Sequence, residues 1–328
     1  MTHEIIKISE DDDGQRLDRW LRKKRPDLPY VLNQKLLRKG AVKIDGKRAK
    51  PDARLSAGQE VRVTQSLEDE TGRSRAGNAA LKTDLARADY VPKINVIYQD
   101  DTLLVIDKPT GLAVQGGSGL RVHLEMLLDD YIVHGVRPRL VHRIDRDTSG
   151  VLVMARTASA ARHLGDQFKG RNVFKSYLAL VSPIPTRATG VIDAPIGKVM
   201  AGTDLEQMQV MRDGDPAITK YQVRARVGTK DDEKTIPVAL IEFSLKTGRT
   251  HQIRVHAAHI GCPLLGDSKY GGDIELLRKI KIKPRVMLHA STITITHPKT
   301  NDVVTFSAPI PDDFDRAIQK MGLDKGQK

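Results

Sequence analysis

One cysteine, Cys262, stands in a chain of 328 residues. A lone thiol excludes an intrachain disulfide framework and any cysteine-rich metal site, and it fits a reducing, cytoplasmic setting. Aromatic residues are scarce too, at 4% with a single tryptophan. That is too few for a platform that stacks successive bases of a single strand. No apolar run approaches the ~18 residues that read as a membrane span. The opening MTHEIIKISEDDD carries acids where a secretion signal needs cations followed by an apolar stretch. A soluble, unsecreted protein with no membrane partner is expected.

What is present is positive charge. Lys and Arg number 54 against 41 Asp and Glu, a net +13, which suggests a polyanionic partner. The surplus is concentrated: from Gly14 to Arg54 there are 14 Lys and Arg against 4 Asp and Glu. Here Leu17, Trp20 and Leu21 recur at i, i+3, i+4, predicting an amphipathic helix stopped before Pro26. VLNQKLLRK predicts a second helix closed by Gly40. Asp45-Gly46 between extended residues is a hairpin signal, and LSAGQEVRV supplies another turn and strand. Arg38, Lys39, Lys43, Lys47 and Arg48 gather at the helix-to-strand junction as candidate phosphate contacts.

Residues 66–91 have little apolar content and no sustained period, so they are expected to form a flexible linker. From residue 92 the pattern is globular. DTLLVID, VLVMA, SYLALV and VALIEFSL read as strands, SAARHLGDQFKG as a helix with Ala161, Leu164 and Phe168 on one face, and LRVHLEMLLDDY as another helix. GTKDDEK is expected as a hairpin insertion. The elements mix without regular βαβ alternation, predicting an α+β domain over 92–315 with a largely antiparallel sheet and flanking helices. Residues 316–328 are expected to be a C-terminal tail, ending in a disordered GLDKGQK.

Polar chemistry collects in four segments: HRIDRDTSG at 142–150, KSYLALV at 175–181, LKTGRTHQIRVH at 245–256 and LHA at 288–290. In the first, Asp145 lies between Arg143 and Arg146. In the third, a strand ends at Leu245, Thr247-Gly248 turns the chain, and Thr250 is expected to cap a helix. Arg249 is thereby held before a helix start, a place that attracts anions. His251, His256 and His259 crowd as metal ligands do, but Arg143, Arg146, Arg249 and Arg254 lie among them and would repel a dication. There is no G-x-S-x-G elbow for a serine hydrolase, no P-loop and no dinucleotide fingerprint; GGSG at 116–119 lacks their spacing.

The stretch from Gln15 to Val63, through RLDRWL, LLRKGAVKIDGKRAK and LSAGQEVRV, resembles the S-four-type RNA-binding domain, here spanning about 14–65. HRIDRDTSG, with Ile144 where leucine is commoner, TGRTHQIR and the Lys-x-Tyr strand together resemble the ribosomal large-subunit pseudouridine synthases. The resemblance implies an isomerase that turns specific uridines of 23S ribosomal RNA, free or in a large-subunit assembly intermediate, into pseudouridine. No group is lost and no redox occurs, so no cofactor or metal is implied, and a monomer is expected. The catalytic aspartate maps to Asp145, which must be ionised to act; Arg249, helped by Arg143 or Arg146, would keep it charged and aimed. Tyr177 maps to the residue that stacks on the base and is a candidate proton acceptor. His142, His251 and Arg254 are expected to face RNA, and Arg143 or Arg146 to fill the gap left by a flipped base. Two alternatives stay open: a tRNA substrate, and a catalytically silent ribosome-assembly factor.

Overall fold

The computed structural model describes residues 3–25, 36–37, 40–64, 92–116, 122–132, 136–201, 205–228 and 236–326. The predicted linker and most of the predicted second helix, including Arg38 and Lys39, lie outside these residues, as does most of the GGSG loop and the 228–234 insertion. The chain divides into two compact units, Met1–Asp89 and Tyr90–Lys328.

The first unit sets a helix on a four-stranded sheet. Its strands are β1 (His3–Lys7), β2 (Val42–Ile44), β3 (Lys47–Arg48) and β4 (Glu60–Thr64), in the order β1-β4-β2-β3. β1 pairs along β4 and so extends this unit in front of the span predicted from residue 14. Helix α1 (Leu17–Lys24) buries Leu17, Trp20 and Leu21, the three positions its spacing singles out, against Val42, Leu55, Val61 and Val63. The β2–β3 turn is a tight hairpin with Asp45 and Gly46 both at positive φ, 47° and 77°, as a mirror-image two-residue turn requires. Lys43, Lys47 and Arg48 stand exposed on that hairpin.

The second unit is built on a ten-stranded sheet. Its strands are β5 (Asn95–Gln99), β6 (Leu103–Lys108), β7 (Arg139–Leu140), β8 (Ser149–Ala155), β9 (Phe174–Val181), β10 (Thr189–Asp193), β13 (Ile218–Val227), β14 (Val238–Leu245), β15 (Leu288–Thr296) and β16 (Val303–Ser307). The path runs β10-β13-β14-β9-β15-β8-β6-β5, with β16 on β15 and β7 on β8. A separate hairpin joins β11 (Ile196–Ala201) to β12 (Leu205–Val210). Every pairing between these strands is antiparallel except β15 with β8. The fold class is α+β with a largely antiparallel sheet.

That parallel junction positions the site. His289 faces Ser149 and Ala290 faces Gly150. Gly150 has φ 115°, and a Cβ there would lie 2.2 Å from the Ala290 carbonyl oxygen, so the two backbones meet only because residue 150 has no side chain. Ser149 Oγ joins the junction through His289 Nδ1 at 3.0 Å.

Helices α2 (Leu124–Leu127), α3 (Ala158–Lys169), α4 (Gln252–His259), α5 (Glu275–Lys279) and α6 (Asp312–Lys320) complete the unit. The predicted helix through Tyr131 is a single turn continued as a 3-10 turn. In α3 the buried face is Ala160, Leu164 and Gln167, one step round from the predicted one, which leaves Phe168 to face the pocket described below. The C-terminal end differs from the predicted tail. α6 and the following turn carry Phe314, Ala317, Ile318 and Leu323 into a core with Leu180, Leu240 and Met287, so burial of apolar area holds residues 316–323 in place.

Candidate active site

The loop between β7 and β8 carries Asp145, and its shape is set by backbone hydrogen bonds. Thr148 N–H donates to the Asp145 carbonyl at 3.2 Å. The segment after β6 grips the same turn: Gly111 N–H donates to Arg146 O at 2.8 Å and Thr110 Oγ1 to Asp147 O at 2.9 Å. Lys108, fully buried, donates from Nζ to the carbonyls of Pro109, Leu112 and Arg146 at 2.8, 2.8 and 3.1 Å. Burial pushes its ammonium down to about 7, opposed by the charges of Asp147 and Asp145. The sequence signal for this lysine is a cation closing the apolar run LLVID.

Asp145 opens into a cavity of about 450 Å³ lined also by His142, Arg143, Tyr177, Arg249, His251 and Arg254. Its carboxylate has no hydrogen-bond or ion-pair partner among the described residues, and it is half-buried. Tyr177, on β9, is buried beside it; burial, then the Asp145 charge, pushes the phenol above its ordinary range, so the ring is a neutral phenol at physiological pH.

Arg249 and Arg254 exchange the expected prominence. Arg249 Nε donates to the Pro216 carbonyl at 3.2 Å and Nη1 lies 3.5 Å from Asp215 Oδ2, so it faces the cavity from a carboxylate partner other than Asp145. Arg254 is buried and forks onto Asp267 with two bonds of 2.7 Å, so it is not free to reach RNA phosphates. Its guanidinium lies 5.0 Å from the centre of the Tyr270 ring, and the Tyr270 hydroxyl meets His251 Nδ1 at 2.7 Å. Asp267, Arg254, Tyr270 and His251 thus form a continuous polar network at the cavity wall. The stretch GDSKYGG at 266–272 supplies two of its members, Asp267 and Tyr270. Gly266 lets the stretch lie against β15's approach: a Cβ there would meet the Arg285 carbonyl oxygen at 1.9 Å.

The start of α4 is held by Gln252, and Thr250 is exposed and does not cap it. Gln252 Oε1 accepts from Arg249 N–H at 3.0 Å and from Thr247 Oγ1 at 2.8 Å, while Nε2 donates to Ile218 O and Thr219 Oγ1. His251 precedes the helix with φ 56°. His142 turns inward: its ring stacks on Phe168 at 4.5 Å and Nε2 accepts from Val153 N–H at 3.0 Å. Burial, then the Lys175 charge, holds it neutral with a pKa near about 3. His256 spends both ring nitrogens on Thr219 Oγ1 and Ala194 O, and His259 is exposed. Arg143 is exposed and lines the cavity; Arg146 is exposed outside it, with Nε on Asp147 Oδ1 at 3.0 Å.

The profile of the family described as RNA pseudouridylate synthase matches residues 102–259, and that of the S4 domain matches residues 15–61. Ribosomal large subunit pseudouridine synthase C of Escherichia coli (strain K12) is 35% identical over 97% of this chain and 96% of its own. The chain belongs to the pseudouridine synthase family. The enzyme of the same title from Vibrio vulnificus (strain CMCP6) is 35% identical to this synthase over 97% of the chain and 96% of its own length. Among solved structures, human RNA pseudouridylate synthase domain containing 4 is 25% identical to the synthase with a TM-score of 0.55, covering 76% of this chain and 98% of that one. Human RNA pseudouridylate synthase domain containing 1 gives 26% and 0.55 over 68% and 87%. This synthase is therefore an isomerase.

Proposed function

We propose that this synthase converts specific uridines of 23S ribosomal RNA to pseudouridine, with Asp145 as the group that acts on the glycosidic bond. The carrying observation is the Asp145 carboxylate, unpartnered among the described residues in a cavity of about 450 Å³, beside the neutral phenol of Tyr177. A carboxylate spent on a structural ion pair is a poor nucleophile or base; one left unpaired is available to the substrate.

The reaction breaks the bond from uracil N1 to the ribose and joins the ribose to C5, whose proton moves to solvent while N1 takes one up. A base inside an RNA stem must first be flipped out, at a cost of a few kcal/mol. Tyr177 supplies the apolar, hydrogen-bonding wall on which the uracil stacks. Arg143, exposed at the cavity, is the better placed of the two flanking arginines to fill the gap in the RNA, because Arg146 lies outside the cavity and is paired with Asp147. The network through Arg254 and Tyr270 acts as a positioning wall, and Arg249 sets the edge of the cavity near Asp215. The exposed Lys43, Lys47 and Arg48 hairpin of the first unit supports a phosphate-binding role that positions without reading bases.

The ribosomal substrate rests on the relatives, which carry the large-subunit title along nearly their whole length. The test is to map pseudouridines by chemical probing in total RNA from cells lacking the protein. Sites in 23S RNA should be lost and return with the wild-type gene. A full set of 23S sites with missing tRNA sites would reassign the substrate.

A further inference from the structure

The cavity holds more positive charge than the chemistry on a neutral uracil needs. Seven Lys or Arg side chains line it against one carboxylate, Asp145. Arg249 and Arg254 answer to Asp215 and Asp267, which leaves five without a carboxylate partner among the described residues.

Lys175 is the deepest of the five. It sits two residues before Tyr177 on β9, so both side chains leave the same face of the strand about 7 Å apart. Its Nζ lies 3.4 Å from where a Cβ on Gly248 would be, so it reaches across the cavity floor to the turn before α4. It has no hydrogen bond or ion pair among the described residues, although it is largely withdrawn from solvent; burial pulls its pKa down. A desolvated ammonium with nothing to pair with is costly unless a ligand completes it.

Arg171 shares its cavity. It is exposed, lines the same cavity, and has φ 60° in the left-handed region, where an arginine is strained and a glycine would not be. The residue closes α3 as a left-handed cap, with Asn172 N–H on Gln167 O at 3.0 Å.

We propose that Lys175, together with Arg171, binds the backbone phosphate next to the uridine being isomerised, and so positions the nucleotide whose base lies between Tyr177 and Asp145. The separation of Lys175 from Tyr177 is on the scale of one nucleotide. This subsite rests on the RNA pseudouridine synthase reading above and adds the contact that fixes the sugar while the base turns.

The experiment uses the full chain and a synthetic RNA stem-loop carrying the uridine mapped in cells, with the phosphate on its 5′ or 3′ side replaced singly by an uncharged methylphosphonate. For the wild type, one of the two replacements should raise KM about tenfold. Lys175→Gln should raise KM by a similar factor on unmodified RNA with kcat within about threefold. The critical methylphosphonate should then have little further effect, and the slope of binding against salt should flatten by about one phosphate contact. Arg171→Gly should weaken binding while raising Tm, because it removes the strain together with the charge.

A Lys175→Gln enzyme that loses kcat at unchanged KM, or whose KM rises by a further tenfold with the methylphosphonate, overturns the subsite. So does a wild type indifferent to both replacements, which keeps the test open even if Lys175→Gln folds poorly. A wild type that makes no pseudouridine in any RNA refutes the underlying reading instead.

Discussion

The Lys108 ammonium ends 3.1 Å from the carbonyl oxygen of Arg146, the residue after the carboxylate that faces the cavity. Two further carbonyls, of Pro109 and Leu112, complete its three acceptors at 2.8 Å each. One buried side chain therefore ties the end of β6 to the loop that presents Asp145. Lys108→Met keeps the length and removes all three donors, stranding the carbonyls of Pro109 and Leu112, while Arg146 O keeps its bond from Gly111 N–H. The expected cost is about 3 kcal/mol of stability, since each stranded buried acceptor costs roughly 1–3 kcal/mol. Thermal melts should show it as a lowered Tm. Turnover should fall further than the melt explains, because the loop is released. A variant with wild-type kcat would show that the loop keeps its shape without the lysine.

Asp12 makes a pH-dependent clamp in the first unit. It accepts from Lys23 at 2.9 Å, Lys24 at 3.1 Å, Trp20 Nε1 at 3.1 Å and Ser9 at 3.2 Å. The bonds from Lys23 and Lys24 hold its carboxyl well below the usual carboxylate range, against the opposing effect of burial. A carboxyl whose folded pKa is depressed stabilises the fold above its unfolded value of about 3.9, and that contribution is lost as pH falls below it. Trp20 is the only tryptophan, so its fluorescence reports this unit in the whole chain. Acid titration should shift Trp20 emission to the red below about pH 4. Asp12→Asn should show the shift at lower temperature and with a flatter pH dependence. An acid transition identical in both proteins would remove Asp12 from the account.

Arg254 and Asp267 form a buried fork, and neither charge has room to find water. Arg254→Met leaves Asp267 buried and unpaired, which costs about 3–5 kcal/mol. Arg254→Lys restores the charge without the fork and should recover only part of the stability. Denaturant unfolding of the second unit measures both. Equal midpoints for the Lys variant and the wild type would mean that charge alone suffices.

These three contacts mark where legibility in the sequence ends. Continuous apolar runs place β6, β8, β9 and β14, which are buried on both faces over most of their length, and apolar periodicity places α1, which buries one face. The loop residue Asp145 and the strand residue Tyr177 stand out through the resemblance of their motifs to the synthase family, not through periodicity, and the cavity brings both together. The partners of the cations are not legible. Arg254 finds its carboxylate 13 residues along and Arg249 contacts a carbonyl 33 residues back, distances at which the local pattern carries no information about who meets whom. The cap of α4 misleads for a related reason. Thr250 has the preferred residue type, yet Gln252 has the reach to tie Thr247, Ile218 and Thr219 at once. The C-terminal helix misleads because its apolar residues are few, and their burial depends on a surface made by distant strands.

Asp145 differs from Asp12 and Asp267 in supporting nothing among the described residues. Its carboxylate neither accepts a hydrogen bond nor forms an ion pair among the described residues, so Asp145→Asn strands no partner and should change stability by no more than about 0.5 kcal/mol, as for a surface substitution. The amide keeps the size and loses the charge and nucleophilicity. RNA affinity should stay within about twofold, or rise slightly as repulsion from phosphate is removed. Pseudouridine formation, followed by tritium release from C5 of labelled uridine in RNA, should fall below detection. The pairing of an unchanged melt with lost turnover is what separates a reacting group from a structural one. Lys108→Met and Arg254→Met should lower both together. Turnover retained in Asp145→Asn would move the chemistry to another group in the cavity.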